Sequence, residues 1–440
     1  MTIVISNCLK PKHLTWGRVG LWTVTFLLCW TSVALAAEKK PQPEEFRKPL
    51  EITKPDPLLP QWPKKKTPLT PEEQAALREA LDELDAQATA LLEAGKADEA
   101  FELWYRELRL RRALGPVEEV QALGRVGEIA WRKNRGFDAQ VISKRLREIQ
   151  QEAQQKKALN LELLQALGKA YQQVRLPEPA IAVYQQILAD ERQRNDTEAQ
   201  EESLKTLAQL NMDWFNYPEA AKIYEELLDR SKARGDRVSE LAYLEQLIYA
   251  YNKAQQPENA VQVKQKLAET YSPNDPRLPA LKIAIAGDYE ALGQQQLASA
   301  AEYKAQNQPT EASKNEEKAY AYLDQASQTY QQAYELARVL QQWAYASESL
   351  QKLAALYRSN NQPENALQVY DVLVKTQQHA YNFYGLMNTY DQMGQIYLEG
   401  QNYSKALDAF QKGLELAKSL QYQETYFAAK VEQATQQRSQ

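Results

Sequence analysis

The pentapeptide Gln256-Pro257-Glu258-Asn259-Ala260 recurs as Gln362-Pro363-Glu364-Asn365-Ala366, and this repeated turn decides the fold. Proline fits the first turn of a helix, where its missing N–H would have no partner anyway, so each copy is predicted to open a helix. The closing alanine belongs to a wider pattern of a small residue, an apolar neighbour and an aromatic residue three positions on. That pattern appears at Ala100-Phe101 with Trp104, Ala180-Ile181 with Tyr184, Ala220-Ala221 with Tyr224, Ala366-Leu367 with Tyr370, and Ala406-Leu407 with Phe410.

The small residues, with Ala260 included, are separated by 80, 40, 40, 106 and 40 residues, so the underlying period is 40. Such a period is typical of a helical hairpin repeated along the chain. The small residue lets the second helix approach the first, and the aromatic residue is predicted to fill the gap towards the next hairpin. Because a single hairpin cannot bury both of its faces, the hairpins must stack, which predicts an all-α solenoid.

The repeats resemble the tetratricopeptide repeat (TPR) superfamily. A small residue, an aromatic residue three later and a second small residue nine after that occur at Gly168, Tyr171 and Ala180, and again at Gly394, Tyr397 and Ala406. The resemblance covers about residues 72–421 and departs from the usual 34-residue period, which indicates a variant with longer helices. It implies a right-handed superhelical solenoid of about eight hairpins whose first helices line a concave groove.

The spacing of 106 residues indicates one elongated hairpin at about 279–340. We predict a first helix to Asn307, a tip at 308–310 and a second helix to Leu340. The alternative is a ninth repeat around Ala298 to Ala300. Residues 422–440 are predicted to form a capping helix and tail.

The first 37 residues have the layout of a secretory signal, with basic residues but no acidic ones before an uncharged apolar run. Ala34 and Ala36 offer a cleavage site, and an uncleaved membrane anchor across residues 19–37 is the alternative. Both interpretations predict that the rest of the chain is exported. Both cysteines, Cys8 and Cys29, lie in this segment, so the exported part would hold no thiol.

Residues 38–71 are rich in proline, with nine prolines between Pro41 and Pro71. Proline cannot continue a helix or a central strand, so we expect a stiff spacer or a disordered tether.

Catalytic and cofactor motifs are missing from the sequence after the leader. His379 is the one histidine there, and we expect it to be exposed and without a role. We therefore predict no enzyme activity, no cofactor and no metal site. Without residues 1–37, 50 basic and 58 acidic residues remain, which makes nucleic acid a poor partner. Of the five remaining tryptophans, the four within the repeats are expected to pack in the core.

The TPR resemblance also implies where a partner binds, at positions 15, 11 and 8 residues before the small residue of each hairpin. From these positions we take the predicted groove residues, which are Arg125, Arg132, Lys169, Gln172, Lys205, Gln209, Tyr249 and Asn252. The four cations among them predict a site for a carboxylate terminus or an acidic helix, unless they form only a solvated face. The Lys/Asn clamp of chaperone-binding TPR modules is not reproduced.

Taken together, the sequence predicts an exported scaffold or assembly factor that binds other proteins or acidic peptide segments, with its N-terminal segment at a membrane. The alternative is a regulatory sensor for a small peptide or glycan.

Overall fold

Proline-opened helices and left-handed turn residues divide the chain into helical hairpins. The computed structural model describes residues 48–60, 62 and 69–439. In the intra-hairpin turn at Arg175 (φ +59°), the amide of Leu176 donates to the carbonyl of Tyr171 at 2.9 Å and that of Arg175 to Gln172 at 3.0 Å. These two backbone hydrogen bonds close the first helix, and Pro177 opens the second.

Seventeen α-helices lie within residues 69–439, and the first sixteen pair into eight antiparallel hairpins. The pairs are α1 (Pro71–Glu93) with α2 (Ala97–Arg111), α3 (Pro116–Arg132) with α4 (Gly136–Gln155), α5 (Leu161–Gln173) with α6 (Pro177–Arg194), α7 (Thr197–Asp213) with α8 (Tyr217–Arg234), α9 (Arg237–Lys253) with α10 (Pro257–Thr270), α11 (Leu278–Ala305) with α12 (Pro309–Val339), α13 (Trp343–Ser359) with α14 (Pro363–His379), and α15 (Phe383–Glu399) with α16 (Tyr403–Leu420). The last helix is α17 (Glu424–Arg438), and a 3-10 turn at Arg112–Leu114 precedes α3. The fold is an all-α solenoid of stacked helical hairpins.

The small residues of the repeat lie where helices meet most closely. Ala180, Ala220 and Ala406 are fully buried. The aromatic residue three positions on was expected to fill the gap towards the next hairpin. Instead, Tyr184 packs over Gly168 and Phe410 over Gly394, each within its own hairpin. A Cβ on either glycine would lie within 3 Å of the ring. The aromatic residue therefore first closes its own hairpin, although Tyr184 also reaches the next hydrophobic cluster.

The elongated hairpin consists of α11 and α12, which are the longest helices of the described chain. Helix α11 runs unbroken through Ala298 and Ala300, so the alternative of a ninth repeat is wrong. Beyond Leu292 and Leu323, towards the tip of the hairpin, the buried residues are small, as at Ala300 and Ala312.

Part of the proline-rich segment packs on the first hairpin. Leu50 is buried in the core, and Asp56 accepts two hydrogen bonds from Arg106 on α2, at 2.8 and 2.9 Å. Residues 49–59 therefore differ from the predicted stiff spacer or disordered tether, because a buried leucine and a bidentate ion pair hold them on the hairpin. The leader at 1–37 and the start of the spacer lie outside the described residues.

The hydrophobic core continues from hairpin to hairpin and ends at α17. The ring of Phe427, which is fully buried, packs on Gly413 of α16. Among the described helices, none combines the length and the apolar character needed to span a bilayer.

Candidate partner-binding groove

A cavity of about 750 Å³ lies along the first helices of four successive hairpins. Helices α3, α5, α7 and α9, which also carry the predicted groove residues, supply most of its wall. Its lining comprises Glu128, Gln172, Gln173, Arg175, Lys205, Thr206, Gln209, Leu210, Asp213, Trp214, Tyr224, Ala242, Tyr243 and Gln246.

Three of the eight predicted groove residues line this cavity, namely Gln172, Lys205 and Gln209. The other five lie on the same helices but outside it. Arg132, Lys169 and Asn252 are exposed. The offsets taken from the TPR resemblance therefore place three of the eight residues in this cavity and five beside it.

Arg125 is not a free groove cation. It is half-buried and pairs with Asp85 of α1 and, at 2.7 Å, with Glu107 of α2. Glu107 is fully buried and also accepts a bond from Arg111 at 2.9 Å. Burial raises the pKa of the Glu107 carboxyl while the two guanidinium groups oppose that rise. The prediction is wrong for Arg125, because its guanidinium group is ion-paired with carboxylates of the first hairpin and so joins the first two hairpins.

Lys205 faces the cavity but already has two carboxylate partners. Its ammonium group lies 2.9 Å from Glu202 and 3.2 Å from Glu201 on the same helix. The hydrogen bond to Glu202 raises the pKa of Lys205, so the lysine stays charged and paired. Lys205 therefore cannot serve as the free cation that the sequence predicted.

The remaining predicted cations are Arg132 and Lys169. The Arg132 side chain is 66% exposed and lies 3.8 Å from Glu128, and Lys169 makes no ion pair with a described residue. Helices α3, α5, α7 and α9 together carry ten acidic and six basic side chains. This balance disfavours an acidic partner.

Several polar and aromatic residues of the lining were not among the predicted groove residues. Thr206 and Gln246 lie 14 residues before Ala220 and Ala260, and Gln173 and Asp213 lie seven before Ala180 and Ala220. The offsets of 14 and 7 differ by one residue from the predicted offsets of 15 and 8. A rule that included the neighbouring positions on each helix would have found these residues. Trp214 follows α7 and lines the cavity too.

Two buried tyrosines, Tyr224 and Tyr243, close one side, with ring centroids 6.1 Å apart. Tyrosine hydroxyls are uncharged at neutral pH, and burial raises the pKa of both still further.

Tyr249 belongs to an exposed aromatic row outside the cavity. Its ring lies 6.2 Å from that of Tyr217, which in turn lies 6.1 Å from Phe215. Trp131, predicted to pack in the core, is instead 53% exposed, whereas Trp104 is fully buried.

His379 is exposed at the end of α14, and its ring stacks on that of Trp343 with centroids 5.5 Å apart. In the part of the chain that the structure describes, no group of three or more histidine, cysteine, aspartate or glutamate side chains is placed to hold a metal ion.

Comparison with known proteins finds no matching family model and no matching curated protein. Solved structures similar to the chain include BtubC (BKLC) from P. vanneervenii, with 15% identity over 56% of this chain and 92% of that one, at a TM-score of 0.30. Aspartyl phosphate phosphatase F from Bacillus subtilis is 14% identical over 71% and 78% of the two chains, at 0.32. The TPR2AB domain of yeast Sti1, solved as a complex with pHSP90, is 14% identical over 62% and 96%, at 0.21.

Proposed function

Taking as premise that the chain is an all-α solenoid of TPR-type hairpins, we propose that it is an exported, non-catalytic scaffold or assembly factor. Its groove along α3, α5, α7 and α9 holds a segment of a partner protein. The observation that carries this proposal is the 750 Å³ cavity, since it spans successive first helices and is open to a chain running along them.

The residues of the lining support a binding function without catalysis. Its ionisable groups are paired or exposed, with Lys205 held by two carboxylates and Asp213 accepting a bond from Gln209 at 2.7 Å. A general acid or base works best with a pKa near the operating pH, and burial moves the pKa values of the two lining tyrosines further above neutral pH. Export rests on the layout of residues 1–37.

Site-specific photocrosslinking tests the scaffold proposal. A photoreactive residue at Gln209, in the groove, should crosslink the full-length protein to a polypeptide in an extract of its native host. The matched control is Gln186, an exposed glutamine on second helix α6. Equal crosslinking from both positions, or none from Gln209, would contradict the proposal.

The cavity volume also suits a small ligand, since such sites enclose about 300–1,000 Å³. This observation favours the second candidate, a regulatory sensor for a small peptide or glycan. A thermal-shift screen separates the two, because a sensor should melt at a higher temperature with a small ligand bound and a scaffold should not.

A further inference from the structure

We propose that the groove recognises an uncharged, extended polypeptide segment, which it holds through glutamine amides and aromatic rings and not through charge. This inference rests on the function proposed above and replaces the acidic partner that the sequence suggested.

Charges across the cavity cancel. Glu128 and Asp213 face Arg175 and Lys205 in the same lining. Lys205 is held by Glu201 and Glu202, and Glu201 in turn pairs with Arg234 of α8. The four charged lining residues therefore give the cavity itself no net charge, and charge complementarity is what selects charged partners.

Four glutamines supply neutral hydrogen-bonding groups. Gln172 and Gln173 lie on α5, Gln209 on α7 and Gln246 on α9, so they form a row along three successive first helices. A glutamine side chain offers one acceptor and two donors, which match the C=O and N–H of a peptide group.

Part of this capacity is free, although Gln173 donates to Glu128 at 3.4 Å and Gln172 hydrogen-bonds to the Tyr184 hydroxyl. Gln246 makes no hydrogen bond with another described residue. The Gln209 amide nitrogen donates to Asp213, which leaves its carbonyl oxygen open to a donor. The main-chain N–H and C=O groups of an extended segment are unpaired, whereas those of a folded domain already bond to each other. An extended segment is therefore the occupant that these amides fit.

Aromatic rings beside the amides provide an apolar contact. Trp214 is half-buried and supplies most of the accessible ring surface, because Tyr224 and Tyr243 are only 6% and 8% exposed. Tyrosine hydroxyls are neutral at pH 7 and burial raises the pKa of these two further, so this wall is uncharged and suits an apolar or aromatic side chain of the segment.

Salt dependence separates this mode from a charge-based one. Attraction between exposed charges is screened as the Debye length falls from about 10 Å at 0.1 M salt to about 3 Å at 1 M. Neutral hydrogen bonds and ring contacts are not screened in this way, so binding should persist at high salt.

The test selects binders for the full-length protein from a phage-displayed library of random twelve-residue peptides. We expect selected peptides with no excess of acidic residues, and a Kd that changes by less than about twofold between 50 and 500 mM NaCl. Acidic peptides whose affinity falls tenfold or more over that range would overturn the inference and leave the scaffold proposal standing. Failure to select any groove-binding peptide would instead count against the scaffold proposal.

Variants assign the contacts. Gln209→Leu combined with Gln246→Leu should weaken binding of a selected peptide about tenfold, because two hydrogen bonds are lost, and helicity by circular dichroism should be unchanged since both side chains are exposed. Gln186→Leu on α6 is the control and should have no effect. Loss of binding with Lys169→Gln and Lys205→Gln, but not with the glutamine pair, would refute recognition through amides.

Discussion

Arg125 and Arg132 show how one residue type takes two roles on one helix. Both were predicted to line the groove, yet Arg125 is paired with Asp85 and Glu107, whereas Arg132 is 66% exposed. The partners of Arg125 lie 40 and 18 residues away in the chain. Periodicity identifies the helix face of a residue, but it cannot identify partners that only the stacking of hairpins brings close.

Gly127 allows the close contact between α3 and α5, and its replacement should destabilise the protein. A Cβ at this position would lie 2.2 Å from Val174 Cγ1 and 3.1 Å from Ile142 Cγ2. We expect Gly127→Ala to lower the free energy of unfolding by about 1–3 kcal/mol, as overpacking of a buried contact does. Urea unfolding followed by circular dichroism measures it.

Gly136 is the matched control, because a Cβ there meets no heavy atom within 4 Å. Gly136→Ala should leave the urea midpoint within error or raise it slightly. Equal effects of the two substitutions would contradict the packing argument.

At the scale of elements, hairpin boundaries are predictable and the docking of the N-terminal arm (residues 49–59) is not. The start of α1 follows from local chemistry, since Thr70 caps it and Glu73 closes the capping box. The arm is held by Leu50 and by the ion pair of Asp56 with Arg106, fifty residues away. A proline-rich composition indicates only that such a segment forms neither helix nor sheet.

The Asp56–Arg106 ion pair predicts a pH-dependent attachment of the arm. The hydrogen bonds from Arg106 lower the pKa of the Asp56 carboxyl, so they stabilise the docked arm above the pKa of a free aspartate, about 3.9. That stabilisation is lost as the pH falls through the lowered pKa. Asp56→Asn should remove about 1 kcal/mol of it at neutral pH.

Hydrogen exchange of the arm amides measures this effect. At pH 7 the Asp56→Asn variant should exchange several-fold faster than the wild type, and at a pH below the lowered pKa of Asp56 the two should converge because the wild-type carboxyl is then protonated. A difference that is the same at both pH values would show that the charge does not hold the arm.

For the whole molecule, a period of 40 residues is enough to predict an all-α solenoid of about eight hairpins, because each hairpin must bury its faces on its neighbours. The cavity lining was only partly predictable. Trp214 and Tyr224 reach it from a turn and a second helix, positions that a rule based on first helices leaves out.

Because each hairpin is stabilised mainly by contacts with its neighbours, a destabilising substitution in the last helix should affect only the adjacent helices. Phe427 is fully buried on Gly413, so Phe427→Ala should cost about 3–5 kcal/mol of local stability. Hydrogen exchange should quicken in α16 and α17 and stay unchanged in α3 to α8. Tyr422→Ala, at a residue 45% exposed, is the control, and uniform acceleration along the chain would contradict local coupling.

Hydroxyl-radical footprinting with a bound peptide tests most directly the claim that the groove of α3, α5, α7 and α9 captures a partner segment. Trp214 lines the cavity, and Trp343, which is also half-buried, lies three hairpins further along and serves as the internal reference. We predict that labelling of Trp214 falls on binding while labelling of Trp343 is unchanged. Protection of Trp343 with Trp214 unaffected would place the partner elsewhere and contradict the account.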